Sequence, residues 1–540
     1  MKRRFGSAFC FIAAIVLAGA TLAQEPSAVD RAFDSFWNAG SVKAADKAAE
    51  GIVAAGAAFS TVLERLADGR PRKANAETGE MRWPTLAGGG TSHATTVVVP
   101  KSYNQGLKYP VRVFLHGGVA RPDPPESGES ERFPQSDSNR PRPRRRLDFK
   151  ERYIAVYPSG YADAQWWFSN QIDNLSEILS WLKRAYNIDE NRVHLMGVSD
   201  GGTGTYFVGL KDPTPWSVLF PLNGSLAVVA NPTLRVDGEV FPANLKNRPI
   251  YAVNGELDPL YPAYQVLPYL VLLKQLGVPL TFRPMANAGH DTSWWPSEVN
   301  AIDAFEEEHP RDPLPDSLSW ETERVDRYNR ISWLVIDRLD PSRLETVFPD
   351  SGTIERPQPA DFGLRVDSRK GDGRQVIEVI PGTNAAGMGL KKGDTIVRMG
   401  EVMIRTSGDM GRAFNEHPPG APLAFEVDRK GQRLTMQAVF PPPAMAPRKE
   451  EAFKHTKASG RVDVVRKGNI FEARTRGVAA FTLLLSPSVI DFDKPAKVVV
   501  NGKTAFDGPV ERSVQTLLRY AARDNDRTML FAAEVRVVVP

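Results

Sequence analysis

The sequence predicts an α/β protein, with a doubly wound, mostly parallel sheet through its middle, a second small module after it and a β-rich C-terminal part. Three observations carry this. Strand-like and helix-like segments alternate from about residue 95 to 310, the pattern of a sheet covered on both faces. A glycine-flanked serine stands where one of those strands passes into a helix. Beyond residue 320, short strand-like runs punctuated by Gly and Pro take over.

The alternating region opens with residues 109–115, an apolar strand that breaks at His116-Gly117-Gly118, and 153–157 form another. Ile172, Leu175, Ile178, Leu179 and Leu182 then recur at helical spacing up to Tyr186. Residues 192–196 run as a strand into Gly197-Val198-Ser199-Asp200-Gly201, after which come Gly202, Thr203 and Gly204. Residues 217–222 give the next strand. Residues 249–255 read as a buried strand whose end carries Glu256-Leu257-Asp258-Pro259. A helix over 264–276 stops at Gly277, the strand 280–285 comes next, and Ala288-Gly289-His290-Asp291 lies on the loop after it.

The stretch around Ser199 has the layout of a nucleophile elbow, in which flanking glycines permit a strained turn that lifts the serine oxygen clear of the sheet. G-x-S-x-G arises by chance in roughly one chain in five of this length, so its weight rests on the residues further along the chain. A serine hydrolase on this kind of sheet needs an acid and then a histidine on loops at the same sheet edge. Of the seven histidines, His290 meets that order, with Asp258 before it. Ser199 is thus expected to be the nucleophile, His290 the base and Asp258 the acid. Glu256 competes for the acid role and Asp291 does so more weakly. His309 closes an acidic surface helix and His194 precedes the elbow, so neither is placed to act as base. The glycines after the strand 109–115 let a backbone approach a substrate carbonyl, and the amides of Gly118 and Asp200 are the expected oxyanion donors. Trp294 and Trp295 come after His290, and Trp166, Trp167 and Phe168 precede the long helix. They either line a pocket or pack beneath loops, and the sequence leaves both open.

The runs HGG (116–118), GVSDGGTG (197–204), NGELDP (254–259) and AGHD (288–291) together resemble the polyhydroxyalkanoate depolymerase and feruloyl esterase branch of the α/β-hydrolases, over about residues 95–309. The resemblance implies serine-dependent hydrolysis of a small-molecule or polymeric carboxylic ester, with no cofactor and no metal. Members of that branch often carry disulfides near the site. Here the single cysteine, Cys10, lies in the N-terminal apolar run.

A second module is expected over 360–441. Asp361-Phe362-Gly363-Leu364 precedes a strand, and Pro381-Gly382 and Gly393-Asp394 mark corners. This resembles a PDZ domain of the bacterial type. The resemblance implies that backbone amides around Phe362, Gly363 and Leu364 receive a peptide C-terminus, with the fold kept as a mere spacer as the alternative. Residues 442–450 read as a Pro-rich linker and 451–540 as a β-rich module, with strands near 462–464, 470–473, 481–485, 498–500 and 529–539 and a helix over 513–522. Asn501-Gly502 is a hairpin signal. Residues 330–337 read as a strand within a segment, 320–350, that is grouped with this module. The PDZ segment is then either inserted in the module or precedes it.

Residues 24–94 read as an Ala-rich helical segment. Ahead of them, Lys2-Arg3-Arg4, the apolar run 9–20 and small residues up to Ala23 have the form of a secretory signal peptide. Cleavage is expected after Ala23, with Ala18-Gly19-Ala20 as a second site, for a periplasmic or secreted product without a membrane span. Loss of that leader lowers the net charge from +4 to +1, which argues against a nucleic-acid partner. The arginine-rich run 140–146 ends a Pro-, Ser- and Glu-rich stretch read as a flexible surface loop, or alternatively as a flap over the cleft. Two rivals to an esterase remain. One is a serine peptidase that uses the PDZ domain as a substrate anchor. The other is a PDZ-based binding protein with a vestigial hydrolase, and the full set of elbow, acid, base and oxyanion loop argues against it.

Overall fold

The computed structural model describes residues 26–72, 75–87, 91–120, 150–234, 236–344, 348, 352–356, 362–367, 371–417, 421–439 and 448–540. The stretch read as a signal peptide, the run 121–149 with its arginines, Asp361 and the prolines 441–443 lie outside these residues.

Three helices come first: α1 (Ala28–Trp37), α2 (Val42–Ala54) and α3 (Phe59–Asp68). Ser27 and Asp30 form a reciprocal capping box at α1. The helical reading of 24–94 needs correction after Asp68, because Gly79–Ala87 is a strand, β1, paired antiparallel with β2 (Thr91–Val99). β1 holds Pro84 and few β-branched residues. It lies at a sheet edge, the position in which a strand tolerates proline.

The main sheet continues with β3 (Tyr109–Leu115), β4 (Ile154–Pro158), β5 (Ile188–Val198), β6 (Leu219–Leu222), β7 (Ile250–Gly255) and β8 (Leu280–Met285). Its spatial order is β1-β2-β4-β3-β5-β6-β7-β8. Pairing is antiparallel up to β4 and parallel from there on. The intervening helices are α4 (Ser169–Ala185), α5 (Asp200–Lys211), the short α6 (Leu226–Val229) and α7 (Ala263–Gln275), with α8 (Trp295–Glu308) after β8. Strand alternation feeds two cores. Val111, Val113 and Leu115 of β3 join Ile172, Leu175 and Leu179 of α4 on one face. Phe114 joins Met196, Phe220, Trp295 and Ile302 on the other. This is an α/β-hydrolase sheet. The parallel register places the C-terminal ends of β3, β5, β7 and β8 at one edge, where the loops carrying His116, Ser199, Asp258 and His290 emerge.

Next come β9 (Ser317–Thr322), β10 (Arg330–Ile331), β11 (Leu334–Leu339) and β12 (Thr353–Arg356). The continuous strand expected over 330–337 is instead a tight hairpin, with Ile331 opposite Leu334. Ser332 turns the chain at φ 44, and its hydroxyl donates to the Pro313 carbonyl at 2.7 Å. That turn is fixed by a contact distant in sequence, which local pattern does not reveal.

The PDZ segment holds β13 (Leu364–Val366), β14 (Arg374–Val379), α9 (Asn384–Gly387), β15 (Thr395–Met399), β16 (Val402–Met403), α10 (Ser407–Glu416), β17 (Pro422–Arg429) and β18 (Gln432–Val439). It has its own core of Phe362, Val376, Ile396, Met399, Phe425 and Val427. The C-terminal part adds β19 (Arg448–Glu451), β20 (Gly460–Lys467), β21 (Ile470–Arg476), β22 (Val478–Leu485), β23 (Ala496–Val500), β24 (Lys503–Gly508), α11 (Val514–Asp524) and β25 (Ala533–Val538). β9 pairs with β20, β11 with β22 and β12 with β19, so strands from before and after the PDZ segment share sheets. Residues 448–450, read as linker, belong to β19; its ladder with β12 satisfies backbone groups that the charged sequence leaves unmarked. Ile354 of β12 and Phe453 beyond β19 pack into the hydrolase core, Phe453 edge-on to Tyr269 of α7. The Asn501-Gly502 turn joins β23 to β24 with positive φ at both residues, as its sequence requires. The N-terminal helices close the molecule, packing Phe33, Phe36, Ile52 and Leu66 against Leu517 and Leu518 of α11.

Candidate active site

Ser199 leaves β5 at φ 59 and ψ −120, a conformation that L-residues rarely hold, and it caps α5. The reason glycines flank it is spatial. A Cβ on Gly197 would lie 2.0 Å from the Gly201 carbonyl oxygen, and one on Gly201 would lie 2.0 Å from that of Leu115. The turn and β3 are in backbone-to-backbone contact, so alanine has no room at either position. The α5 N-terminus behind Ser199 adds a favourable field for negative charge.

The three residues named from sequence are brought together. His290 Nε2 is 2.7 Å from Ser199 Oγ, and His290 Nδ1 is 2.7 Å from Asp258 Oδ2. Asp258 is buried, and its other oxygen accepts from the Leu260 and Tyr261 amides at 2.8 and 2.9 Å. That fixes the carboxylate plane and leaves one oxygen for the imidazole. The rival acids lie apart: Glu256 is exposed, and Asp291 is exposed and caps the Ser293 amide. His194 is buried against Ser217 Oγ at 2.8 Å, and its pKa is held well below the usual range by burial and then by nearby arginines. His309 stacks on Phe305.

The loop after β3 is held by side chains in roles that the sequence did not reveal. The His116 imidazole accepts from the Gly160 amide through Nε2 at 2.9 Å, so its proton sits on Nδ1, 2.8 Å from the Gly117 carbonyl. Trp166 donates to the His116 carbonyl at 2.8 Å. The Asp200 carboxylate accepts from the Val119 amide at 3.0 Å. Among the described residues no acceptor takes the amides of Gly118 or Asp200. Tyr261 lies edge-on to His290, and its hydroxyl is pushed up to about 12 by burial and then by the Asp200 and Asp258 carboxylates. A tyrosine three residues past an aspartate carries no signal that would have found it.

The aromatic residues resolve as packing. Trp166, Trp167, Trp294 and Trp295 are buried in the two cores, and Phe168 packs against one of them. Among the described residues no cluster of three His, Asp or Glu side chains is arranged to hold a metal ion. No described helix is long and apolar enough to cross a membrane.

In the PDZ segment Phe362 is buried, stacked on Phe425 at 5.2 Å. Gly363 has φ 85, and a Cβ there would meet Thr383 Oγ1 at 1.9 Å. Leu364 opens β13, an edge strand paired with β14.

Residues 360–439 match the family model of the PDZ domain. No curated protein matches the chain. Similar solved structures include a thermostable esterase (22% identity, TM-score 0.34, covering 43% of this chain and 63% of that one). A ferulic acid esterase from Anaeromyces mucronatus has 16% identity and a TM-score of 0.31, covering 41% and 88%. An acylaminoacyl peptidase from Pyrococcus horikoshii has 16% identity and a TM-score of 0.33, covering 44% and 43%. The chain thus spans less than two thirds of the thermostable esterase and under half of the peptidase. Strand order and the parallel crossovers, rather than these likenesses, carry the fold. The chain joins an α/β-hydrolase fold to a PDZ domain at residues 360–439.

Proposed function

We propose that the protein is an exported serine hydrolase that cleaves carboxylic esters through Ser199, His290 and Asp258. One observation supports this above the rest: an unbroken hydrogen-bonded chain from Ser199 Oγ through both imidazole nitrogens to a buried carboxylate. Ser199 Oγ adds to the ester carbonyl while His290 Nε2 takes its proton. The resulting oxyanion accepts from the Gly118 and Asp200 amides, each such donor being worth about 2.7–4 kcal/mol in a transition state. His290 then returns the proton to the departing alcohol, leaving an acyl-enzyme. Water, deprotonated by the same imidazole, releases the acid and restores Ser199. Asp258 holds the Nδ1–H tautomer and stabilises the cation. The apolar side chains exposed beside the acid loop are Leu257, Leu260, Tyr264 and Leu267, which favours an apolar acyl or alcohol portion. Export rests on the leader-like residues 1–23.

The peptidase reading keeps its place because a PDZ domain accompanies the same triad. The two separate in one assay. Purified protein should turn over p-nitrophenyl esters with kcat/KM at least about 100-fold above that for aminoacyl p-nitroanilides, some 2.7 kcal/mol in barrier. The reverse ranking would make the peptidase the better reading.

The PDZ segment is proposed to bind peptide C-termini through the amides around Phe362, Gly363 and Leu364, the peptide adding as a strand beside β13. Gly363 at positive φ and the edge position of β13 support this. In calorimetric titration of the whole protein, amidating a bound peptide's terminus is expected to weaken it by about tenfold or more, since charge-assisted bonds are lost. Equal affinity for free-acid and amidated peptides favours the spacer role.

A further inference from the structure

Where the N-terminal helices, α4 and the C-terminal part meet, positive charge gathers in excess of the carboxylates. One cleft is lined by Arg70 and Arg72 after α3, Lys183 of α4, Glu190 of β5, and Asp526 and Arg527 after α11. That is four cations against two anions, and both anions are already engaged. Glu190 accepts from Arg527 Nε and Nη2 at 2.5 and 2.8 Å. Asp526 Oδ2 accepts from Arg311 at 2.9 Å and lies 3.4 Å from Lys183 Nζ, while its Oδ1 takes the Thr528 amide and hydroxyl.

Neither Arg70 nor Arg72 forms an ion pair with a carboxylate among the described residues; the nearest acid to Arg72, Glu190, is taken by Arg527. Arg70 donates to the Trp37 carbonyl at 2.9 Å and to Asn525 Oδ1 at 3.3 Å; Arg72 donates to the Lys183 carbonyl at 2.7 Å. Burial, then the charges of Arg72 and Arg184, pushes Arg70 down to about 10. Burial and then Arg527 lower Arg72, and Glu190 offsets this only in part. Arg184 nearby donates to Ser180 Oγ and has Glu177 as its neighbouring carboxylate. Cations removed from water in this way cost free energy until a counter-charge joins them. The cleft has a cavity volume of about 20 Å³ and is partly open to solvent, with room for one water-sized group such as an anion's oxygen. A guanidinium presents a planar set of donors that suits the oxygens of a small oxyanion.

We propose that this cleft binds a small inorganic oxyanion, phosphate or sulfate, which Arg70 and Arg72 hold so as to fasten the N-terminal helices to α4 and the C-terminal part. The site is independent of Ser199 and its partners, and nothing in it requires the hydrolase reading.

The test is thermal unfolding of the whole protein, titrated with phosphate or with sulfate against chloride at constant ionic strength. The wild type should show a saturable rise in midpoint of roughly 2–4 °C with at least one of the two ions. Arg70→Gln and Arg72→Gln should lose that rise while Lys503→Gln, exposed on the β23–β24 hairpin, keeps it. A wild type that responds to neither ion overturns the proposal, as does a rise of equal size in both arginine variants. Isothermal titration of the wild type needs no variant to fold: saturable binding of phosphate or sulfate near one per chain is expected, and absence of saturable binding of both overturns the site.

Discussion

Ser199→Ala is expected to lower turnover of a p-nitrophenyl ester by at least about 10⁴-fold while the protein stays folded. The side chain contributes its hydroxyl to catalysis and little to packing: its partner is the imidazole of His290, and the turn around it is set by the backbone contacts of Gly197 and Gly201. Alanine at φ 59 carries the same backbone strain as serine, so the elbow should survive. The check is kcat on the variant alongside its thermal midpoint. A residual rate within tenfold of wild type, with the midpoint unchanged, contradicts a nucleophilic Ser199.

Asp258→Asn should cost nearly as much, about 10⁴-fold in kcat, as should His290→Ala. The asparagine must present its NH₂ either to the imidazole or to the Leu260 and Tyr261 amides that now donate to Oδ1. Keeping those amide bonds turns NH₂ toward Nδ1 and forces the wrong tautomer; turning it the other way sets donor against donor. Glu256→Gln, at an exposed position, should stay within about twofold of wild type. A Glu256→Gln variant slower than Asp258→Asn would move the acid role to Glu256.

The hydrolase fold was legible in the sequence because its strongest signals are local: apolar strands closed by glycine turns, and a crossover helix stopped by Gly277. The candidate triad was legible because its three members come in a fixed order on loops that a parallel sheet brings to one edge. What escaped was set at a distance. β1 is a strand because β2 pairs with it, against its own composition. Ser332 turns where it does because the Pro313 carbonyl takes its hydroxyl. The tryptophans beside the site were ambiguous because burial depends on which side of a loop the core lies. The grip of His116, Trp166 and the Asp200 carboxylate on the loop after β3 joins residues up to 81 positions apart. Arg70 and Arg72 gave no sequence signal either, since the excess of cations over free carboxylates around them emerges only once α4 and the C-terminal part surround them.

The sharpest test of Ser199 as an activated nucleophile is to label the folded protein with a fluorophosphonate, digest it with trypsin and locate the adduct by mass spectrometry. Cleavage after Arg192 and Lys211 releases a peptide of residues 193–211 in which Ser199 is the one serine. A single adduct on Ser199 is expected, formed by the wild type and lost in Ser199→Ala and after heat denaturation. A folded wild type that takes no label, or takes it on another residue with Ser199 unmodified, would contradict a nucleophilic Ser199.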